Sequence, residues 1–267
     1  MKKTRVSISI DKELLSKLDK EVDNISIFSR SEAIEKIVNK HISEKKNCVI
    51  LAGGPPENLY IKELKTYRPL VKVNGKFLIE DIIEKAKKAG YNDIVIVGAK
   101  EILSEIFKNI GEEGIIYIEE KDHLGIAKTL QLAQSKIKST FLFLPCDHYF
   151  NIDLKEMELY HRKNQSIATL TVYSGTKYAW NKSSIVELEG NKIKNYVEHP
   201  KENVTFLTSL LIGFAEPEIF DFIPKARIYY SLQEDVFPEL AKKGYLVGYL
   251  FSGKWKNIHS KEDVEKL

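Results

Sequence analysis

The N-terminal part of the chain shows one strand-like and two helix-like patterns of apolar residues. Apolar and polar residues alternate from Thr4 to Ile10, which predicts a half-buried strand. Asp11 then precedes apolar positions at helical spacing, and Ser29 precedes a second such stretch with Glu32 at capping-box spacing. The pattern predicts a strand followed by two helices. Because a single strand leaves both edges unpaired, we expect it to pair with the same strand of a second chain.

Beyond this segment, short apolar runs alternate with amphipathic stretches. The runs are Asn47–Gly54, Ile94–Gly98, Ile115–Ile118 and Phe141–Leu144, and the amphipathic stretches are Ile79–Ala89, Ile102–Ile110 and Ala127–Ser135. This alternation predicts an α/β domain with a mostly parallel sheet and helices on both faces. Such sheets bind ligands beyond the carboxyl ends of their strands. The loop after Ala52 and the turn at Asp147 are therefore the predicted binding regions.

Composition excludes two classes of protein and divides the chain. The 267 residues are 43% apolar and 30% charged and contain no apolar run long enough for a membrane span, so we expect a folded protein without a membrane partner.

The formal charge of +3 resides in residues 1–46, which favours a basic module at 1–45 and a neutral domain at 46–267. Cys48 and Cys146 lie in apolar runs and predict buried thiols. With no signal-peptide pattern, the expected location is cytoplasmic.

Residues 3 to about 44 resemble the ribbon-helix-helix family of DNA-binding proteins. The resemblance rests on the alternating strand, the helix start at Asp11 and the segment Phe28–Ile34. In that family two chains pair their strands into a ribbon that enters the major groove. The resemblance implies base reading by Arg5, Ser7 and Ser9, and phosphate binding by the helix N-terminus at Ser29, Arg30 and Ser31. The alternative is a ribbon that only dimerises and leaves its polar face in solvent.

Residues 47–267 resemble the sugar-1-phosphate nucleotidyltransferases. The matching motifs are Leu51–Gly54, Arg68–Leu70, Val73–Ile79, Gly125–Ala127, Asp147, Val197–Pro200, Glu216–Phe220 and Trp255–Asp263. The resemblance implies a Rossmann-like nucleotidyltransferase fold. It also implies a reaction in which a sugar phosphate oxygen attacks the α-phosphate of a nucleoside triphosphate and pyrophosphate leaves.

The resemblance also assigns roles to individual positions. It implies nucleotide binding by Leu51, Ala52, Gly53, Gly54, Glu120 and Gly125, catalysis by Arg68 and Asp147, sugar binding by Glu198 and His199, and Mg²⁺ binding by Asp147 and Asn257. Neither His148 nor His199 has a metal-like spacing to another ligand, so both are expected on the polar surface.

Several of these positions depart from the family pattern. Asn58 stands where the family has the arginine that grips the triphosphate, and Glu120 replaces the glutamine that reads the base. Asn257 replaces a metal-binding aspartate, which would weaken Mg²⁺ binding. Each lost transition-state contact costs roughly 2.7 to 4 kcal/mol. The lysines that could replace the missing cations are Lys62, Lys65 and Lys128.

These departures favour a regulator over a catalyst. The expectation is a DNA-binding transcriptional regulator, a homodimer or higher even-numbered homo-oligomer that binds double-stranded DNA. Its catalytically degenerate C-terminal domain would sense a nucleotide or nucleotide sugar. The alternative is an active, Mg²⁺-dependent sugar-1-phosphate nucleotidyltransferase whose N-terminal module regulates its own expression. A third possibility is a scaffold that binds neither DNA nor nucleotide.

Overall fold

The chain divides into two compact units, Met1–Glu44 and Lys45–Leu267. The computed structural model describes residues 4, 6–23, 25–43, 46–111, 114–175, 180–202, 205 and 207–267. Within these ranges no helix combines the length and apolar character needed to cross a bilayer.

The first unit contains the two predicted helices, α1 (Lys12–Lys20) and α2 (Arg30–Ser43). The Asp11 carboxylate caps α1 by accepting from the backbone N–H groups of the first turn, at 2.8 Å from Glu13. At the start of α2, the Glu32 N–H donates to Ser29 Oγ at 3.2 Å, and the Glu32 carboxylate accepts from the Phe28 N–H at 2.9 Å. Both helices, with their capping residues, are therefore confirmed.

The described residues at the N-terminus do not form the predicted strand. Residues 4 and 6–10 carry no strand, and Arg5 lies outside the described residues. The physical reason is that an extended segment forms a ladder only with a partner strand. Ser7 and Ser9 are exposed. The Arg30 guanidinium is occupied by Asp19, whose two carboxylate oxygens it contacts at 2.6 and 2.9 Å.

The second unit contains most of the regular structure. Its strands are β1 (Asn47–Ala52), β2 (Tyr60–Ile61), β3 (Thr66–Tyr67), β4 (Lys72–Val73), β5 (Lys76–Phe77), β6 (Asp93–Gly98), β7 (Ile115–Glu119), β8 (Phe141–Pro145), β9 (His148–Phe150), β10 (Ala168–Ser174), β11 (Ser184–Glu189), β12 (Lys192–Glu198), β13 (Leu207–Ala215), β14 (Leu246–Phe251) and β15 (Trp255–Asn257). Its α-helices are α3 (Leu78–Lys88), α4 (Lys100–Ile110), α5 (Ile126–Leu132), α6 (Leu154–Asn164), α7 (Phe237–Lys243) and α8 (Lys261–Glu265).

The main sheet is mixed rather than mostly parallel. Its nine strands follow the order β10-β14-β12-β11-β13-β8-β1-β6-β7. Strands β8, β1, β6 and β7 are parallel, as the apolar runs predicted. The prediction of a mostly parallel sheet was wrong because β13 joins β8 antiparallel and β11 and β12 form a hairpin. These strands lie after Phe141–Leu144, the last of the predicted apolar runs, so the prediction did not include them.

The apolar runs become buried because helices cover both faces of the sheet. Alternate residues of β1 enter different clusters: Cys48 and Ile50 face helices α3, α4 and α6, while Val49 and Leu51 face α5 and α7. Burial on both faces explains why β1 is continuously apolar. Both cysteine thiols are buried, as predicted.

Two pairings determine where the functional residues lie. Strand β1 runs beside β8, and the Cys146 N–H donates to the Leu51 carbonyl at 3.1 Å, so the loop after Ala52 and the turn at Asp147 emerge at one edge. The short strands β9 and β15 pair antiparallel and place Asn257 opposite His148.

Candidate active site

An open cleft of about 280 Å³ lies at the carboxyl edge of β1 and β8. The residues that line it include Gly53, Asp147, Ser184, Glu198, Gln233 and Asn257. They come from the loop after β1, the turn after β8, the strands β11, β12 and β15, and the helical turn Leu232–Val236 before α7. The cleft therefore combines parts of the chain that the sequence predicted together with strands that it did not.

Arg68 and Asp147 form an ion pair at this edge. Arg68 Nη1 donates to Asp147 Oδ2 at 3.0 Å, and the two side chains are 17% and 13% exposed. Arg68 begins a short 3₁₀ turn whose next residues, Pro69 and Leu70, are buried, so the backbone that carries it is firmly held. Its Nε is buried and has no hydrogen-bond partner among the residues that the structure describes. The guanidinium thus keeps a donor available.

Asn257 is held next to Asp147 by backbone pairing. It lies opposite His148 in the β9–β15 pair, and the following residue, Ile258, donates its N–H to the Asp147 carbonyl at 2.9 Å. Its side-chain oxygen Oδ1 is buried and finds no donor in the described part of the chain. A carboxylate and an unsatisfied amide oxygen are donors of the type that Mg²⁺ accepts, and Mg²⁺ usually completes its coordination with water and substrate phosphates. The residues present therefore fit the ion that the family resemblance implies.

His148 is buried beside this pair, so the expectation that it lies on the surface was wrong. Its Nδ1 accepts a hydrogen bond from Trp255 Nε1 at 3.3 Å, and its Nε2 lies 3.8 Å from Asp147 Oδ1. Burial lowers the pKa of His148 to about 4, although the Asp147 charge acts in the opposite direction. His148 is therefore neutral near pH 7. Its position directly after Asp147 was the signal available in the sequence.

Glu120 forms a hydrogen bond with the backbone of the glycine loop after β1. The Gly54 N–H donates to Glu120 Oε2 at 2.6 Å, and Thr129 Oγ1 donates to the other carboxylate oxygen. A Cβ at Gly53 would lie 2.4 Å from Thr129 Oγ1, which excludes larger residues there, and Gly54 adopts φ +97°. Glu120 is only 3% exposed and lies under the loop rather than lining the cleft.

The remaining nucleotide-binding candidates have different positions. Leu51 lines the cleft, Ala52 is buried in the core, and Gly125 caps the start of α5 with φ +94°. Gly125 cannot carry a side chain, because a Cβ would lie 2.5 Å from the Tyr230 carbonyl oxygen.

Glu198 lines the cleft from β12. The hydroxyl of Ser184, a residue that sequence reasoning did not identify, donates to Glu198 Oε2. Burial raises the pKa of Glu198, while the Ser184 hydrogen bond and His199 act against the increase. His199 Nε2 lies 3.4 Å from Glu198 Oε1, but its side chain is 60% exposed and does not line the cleft. Of the two sugar-binding candidates, Glu198 is the one that lines the cleft.

The three lysines expected to replace missing cations do not line the cleft. Lys62 is exposed, and Lys65 lines a separate surface pocket. Lys128 is buried and faces a different cavity. Among the candidates drawn from the sequence, Arg68 is the cation that directly contacts Asp147.

Comparisons with known proteins identify the second unit. A family model described as nucleotidyl transferase matches residues 47–265. The mannose-1-phosphate guanyltransferase of Yarrowia lipolytica is 29% identical over 227 residues, which are 80% of this chain and 61% of that protein. The bifunctional protein GlmU of Methanococcus maripaludis is 29% identical over 228 residues, 82% of this chain and 52% of its own length. The chain thus spans roughly half to three fifths of these relatives.

A solved structure agrees with this fold. The chain superposes on a Bacillus anthracis protein, assigned as a glucose-1-phosphate thymidylyltransferase, with a TM-score of 0.73 and 21% identity. The match covers 83% of this chain and 93% of the other. The α/β nucleotidyltransferase fold expected from the motifs is therefore confirmed.

These matches overturn the expectation of a DNA-binding transcriptional regulator with a degenerate second domain. The nucleotidyl transferase family model covers residues 47–265, the Yarrowia lipolytica relative is named as a mannose-1-phosphate guanyltransferase, and the described residues of the first unit show no DNA-binding ribbon. The expectation weighed charges position by position. It did not anticipate that Arg68 would form an ion pair with Asp147, which lines the cleft.

Proposed function

Because the chain belongs to the nucleotidyl transferase family, we propose that its second unit is a sugar-1-phosphate nucleotidyltransferase. The observation that carries this proposal is the cleft that brings Asp147, which is paired with Arg68, together with Gly53 and Glu198. The pair supplies a cation and a carboxylate where the triphosphate of a nucleotide would meet a sugar phosphate. The names of the relatives include a guanylyl- and a thymidylyltransferase, so the proposal concerns the reaction class rather than one base.

The proposed reaction is a single displacement at phosphorus. A phosphate oxygen of the sugar 1-phosphate forms a bond to the α-phosphorus of the nucleoside triphosphate. The bond between that phosphorus and the bridging oxygen breaks, and pyrophosphate leaves with the electron pair. Such reactions need little covalent participation by the protein, so catalysis consists of positioning and charge stabilisation.

Arg68 is proposed to stabilise the phosphate charge. Its Nη1 is held by Asp147, and its buried Nε–H has no acceptor among the described residues, so the guanidinium keeps hydrogen-bonding capacity that a phosphate oxygen could use. A planar guanidinium can contact both groups at once, which a lysine ammonium does less well. Donors that are fixed in advance stabilise developing charge without having to reorganise.

Asp147 and Asn257 are proposed to hold Mg²⁺. The carboxylate and the unsatisfied amide oxygen form the oxygen donor set described above. When bound, the ion would neutralise charge on the phosphates. His148 contributes by position: as a neutral imidazole fixed by Trp255, it adds no positive charge that would compete for Asp147.

Glu198 is proposed to bind the sugar. One carboxylate oxygen is fixed by Ser184, and the side chain lines the cleft, where it can accept a hydrogen bond from a sugar hydroxyl. The glycine loop offers backbone without side chains, and the space beside Gly54 is open, because a Cβ there would meet no atom within 4 Å. A nucleotide can therefore approach this loop closely.

The first unit is proposed to associate with a second copy of itself. Several of its large apolar side chains are exposed, including Ile8, Leu14, Ile37 and Val38. The same residues line an apolar groove between α1, α2 and the preceding segment. A surface of this kind on so small a unit is typical of an association site.

The test of the proposed activity is pyrophosphate release. Purified full-length protein is incubated with Mg²⁺, each of several nucleoside triphosphates, and mannose, glucose or N-acetylglucosamine 1-phosphate. We expect release with at least one pair, its loss in Asp147→Ala, and its retention in Lys138→Met, which removes an exposed charge outside the cleft. Equal background release by the wild type and Asp147→Ala for every pair would contradict the proposal.

A further inference from the structure

Helix α5 carries a buried lysine that faces a second cavity. Lys128 is 8% exposed, although lysine is almost never buried without a compensating partner. The cavity has a volume of about 440 Å³ and shares no lining residue with the cleft described above. Its polar lining includes Lys121, Asp122, Lys128, Gln131, Lys225 and Arg227.

The contacts of Lys128 leave its charge unbalanced. Its Nζ donates to Gln131 Oε1 at 3.1 Å and to the Pro224 carbonyl, both of which are neutral acceptors. No carboxylate forms an ion pair with it in the described ranges of the chain. Burial lowers the pKa of the Lys128 ammonium, and no neighbouring carboxylate opposes this effect. An ammonium has three N–H donors, so one remains for a further acceptor.

The ionisable groups around the cavity have a positive excess. Four basic side chains line the cavity, and only two acidic side chains do. The basic residues are Lys121, Lys128, Lys225 and Arg227, and the acidic residues are Glu119 and Asp122. Arg227 is already paired with Asp122. A buried, unpaired charge is costly unless an ion of the opposite sign joins it. The cavity is open, so an anion from solution can reach it.

We propose that this cavity binds a phosphate group or a comparable oxyanion, with Lys128 Nζ as its central donor and Lys225 as a peripheral one. The anion provides the negative charge that balances the Lys128 ammonium, which has only neutral acceptors within the protein. The site is separate from the cleft proposed for nucleotidyl transfer, so anion binding here does not depend on that function.

Inorganic phosphate is the first probe. Amide chemical shifts of the ²H,¹⁵N-labelled full chain are followed during titration of the wild type, Lys128→Met and Lys138→Met. Lys128→Met keeps most of the apolar stem and removes the charge, and Lys138→Met is the matched control outside the cavity. We expect saturable shifts at Leu124, Lys128 and Leu132 in the wild type and control, and binding weakened at least about tenfold in Lys128→Met.

A second variant and a second probe complete the test. Lys225→Ala changes an exposed residue, so it addresses binding even where Lys128→Met fails to fold, and we expect it to weaken binding about threefold. A nucleoside monophosphate titrated in parallel distinguishes free phosphate from a phosphate carried by a larger ligand. Binding of either probe with loss in the variants supports the site. Absence of saturable shifts with both probes, or unchanged affinity in both variants, overturns it.

Discussion

Arg68 and Asp147 are separated by 79 positions in the chain and joined by a 3.0 Å contact between Nη1 and Oδ2. The contact forms because β1 and β8 are parallel neighbours, and the loops that leave their carboxyl ends meet at the same edge. It places a guanidinium next to the carboxylate proposed to hold Mg²⁺. If the proposed reaction takes place here, we expect it to depend on both residues together.

Replacing Arg68 with methionine is expected to reduce kcat/KM for pyrophosphate release by about two to three orders of magnitude. The reason is that the variant removes the donor to phosphate and leaves Asp147 without its cation. Arg68→Lys keeps the charge but loses the planar fork, so we expect an intermediate loss. Steady-state kinetics with saturating Mg²⁺ measure both. Wild-type turnover in Arg68→Met would assign the phosphate contact to another residue.

Replacing Asn257 with aspartate is expected to tighten Mg²⁺ binding about tenfold. A second carboxylate is a stronger ligand for a hard divalent cation than an amide oxygen. Isothermal titration with Mg²⁺ alone measures this affinity independently of turnover, and the Mg²⁺ concentration for half-maximal activity should fall in parallel. Asn195→Asp adds the same charge at an exposed position that does not line the cleft. Equal effects of the two substitutions would show that Asn257 does not contact the ion.

His148 is expected to make stability depend on pH between about 6.5 and 4. Its pKa is lowered to about 4 in the folded protein, from 6.5, so the unfolded chain binds the proton more readily in this interval. The contribution is fully present above pH 6.5 and is lost as the pH falls, by about 3 kcal/mol in total. Protonation would also remove the acceptor that Nδ1 offers to Trp255.

The measurement compares urea unfolding of the wild type and His148→Asn at several pH values. Asparagine can still accept from Trp255 but does not titrate. We therefore expect the stability of the variant to fall less steeply with decreasing pH, since the other titrating groups are common to both proteins. Parallel curves for the two proteins would mean that His148 is not buried in its neutral form.

The local pattern of the sequence predicted about half of this fold. Apolar runs identified β1, β6, β7 and β8 because strands buried on both faces must be continuously apolar. The hairpin β11–β12 has several exposed residues and no such run, so it gave no comparable signal. Ser184, at the start of β11, was missed with it.

The candidate site was predicted in its position but not in its contacts. Asp147 and the glycine loop were expected at the edge where they lie. Residue spacing along the chain does not show that Glu120 supports the loop from below, or that Lys128 faces another cavity. These outcomes depend on side-chain packing between distant segments, which hydrophobic periodicity does not describe.

Glu120 is expected to contribute stability through its support of the glycine loop. In Glu120→Met, no side-chain oxygen remains, so the Gly54 N–H loses its acceptor, while the Thr129 hydroxyl can still donate to the Gly125 carbonyl. An unsatisfied donor costs about 1 to 3 kcal/mol, and the free energy of unfolding should fall by that amount. Glu119→Met, at the exposed neighbouring position, should leave it nearly unchanged. Equal stability of the two variants would contradict the support role.

The oligomeric state is expected to depend on the apolar groove of the first unit. Ile37 lines this groove and is 50% exposed, so a charge there would have to be buried when a second copy binds. Ile37→Glu should therefore convert a homodimer, or higher even-numbered oligomer, into smaller species. Light scattering coupled to size-exclusion chromatography measures the mass directly.

The matched control for this experiment is Ile25→Glu. Ile25 belongs to the same unit and is 83% exposed, but it does not line the groove. A charge at this position remains in water whether or not the groove is covered, so we expect the wild-type mass. If both variants keep that mass, association involves another surface; if both lose it, the groove is not the specific contact. Loss of mass in Ile37→Glu alone would locate the interface on α2, because the two substitutions add the same charge and differ in which surface they alter.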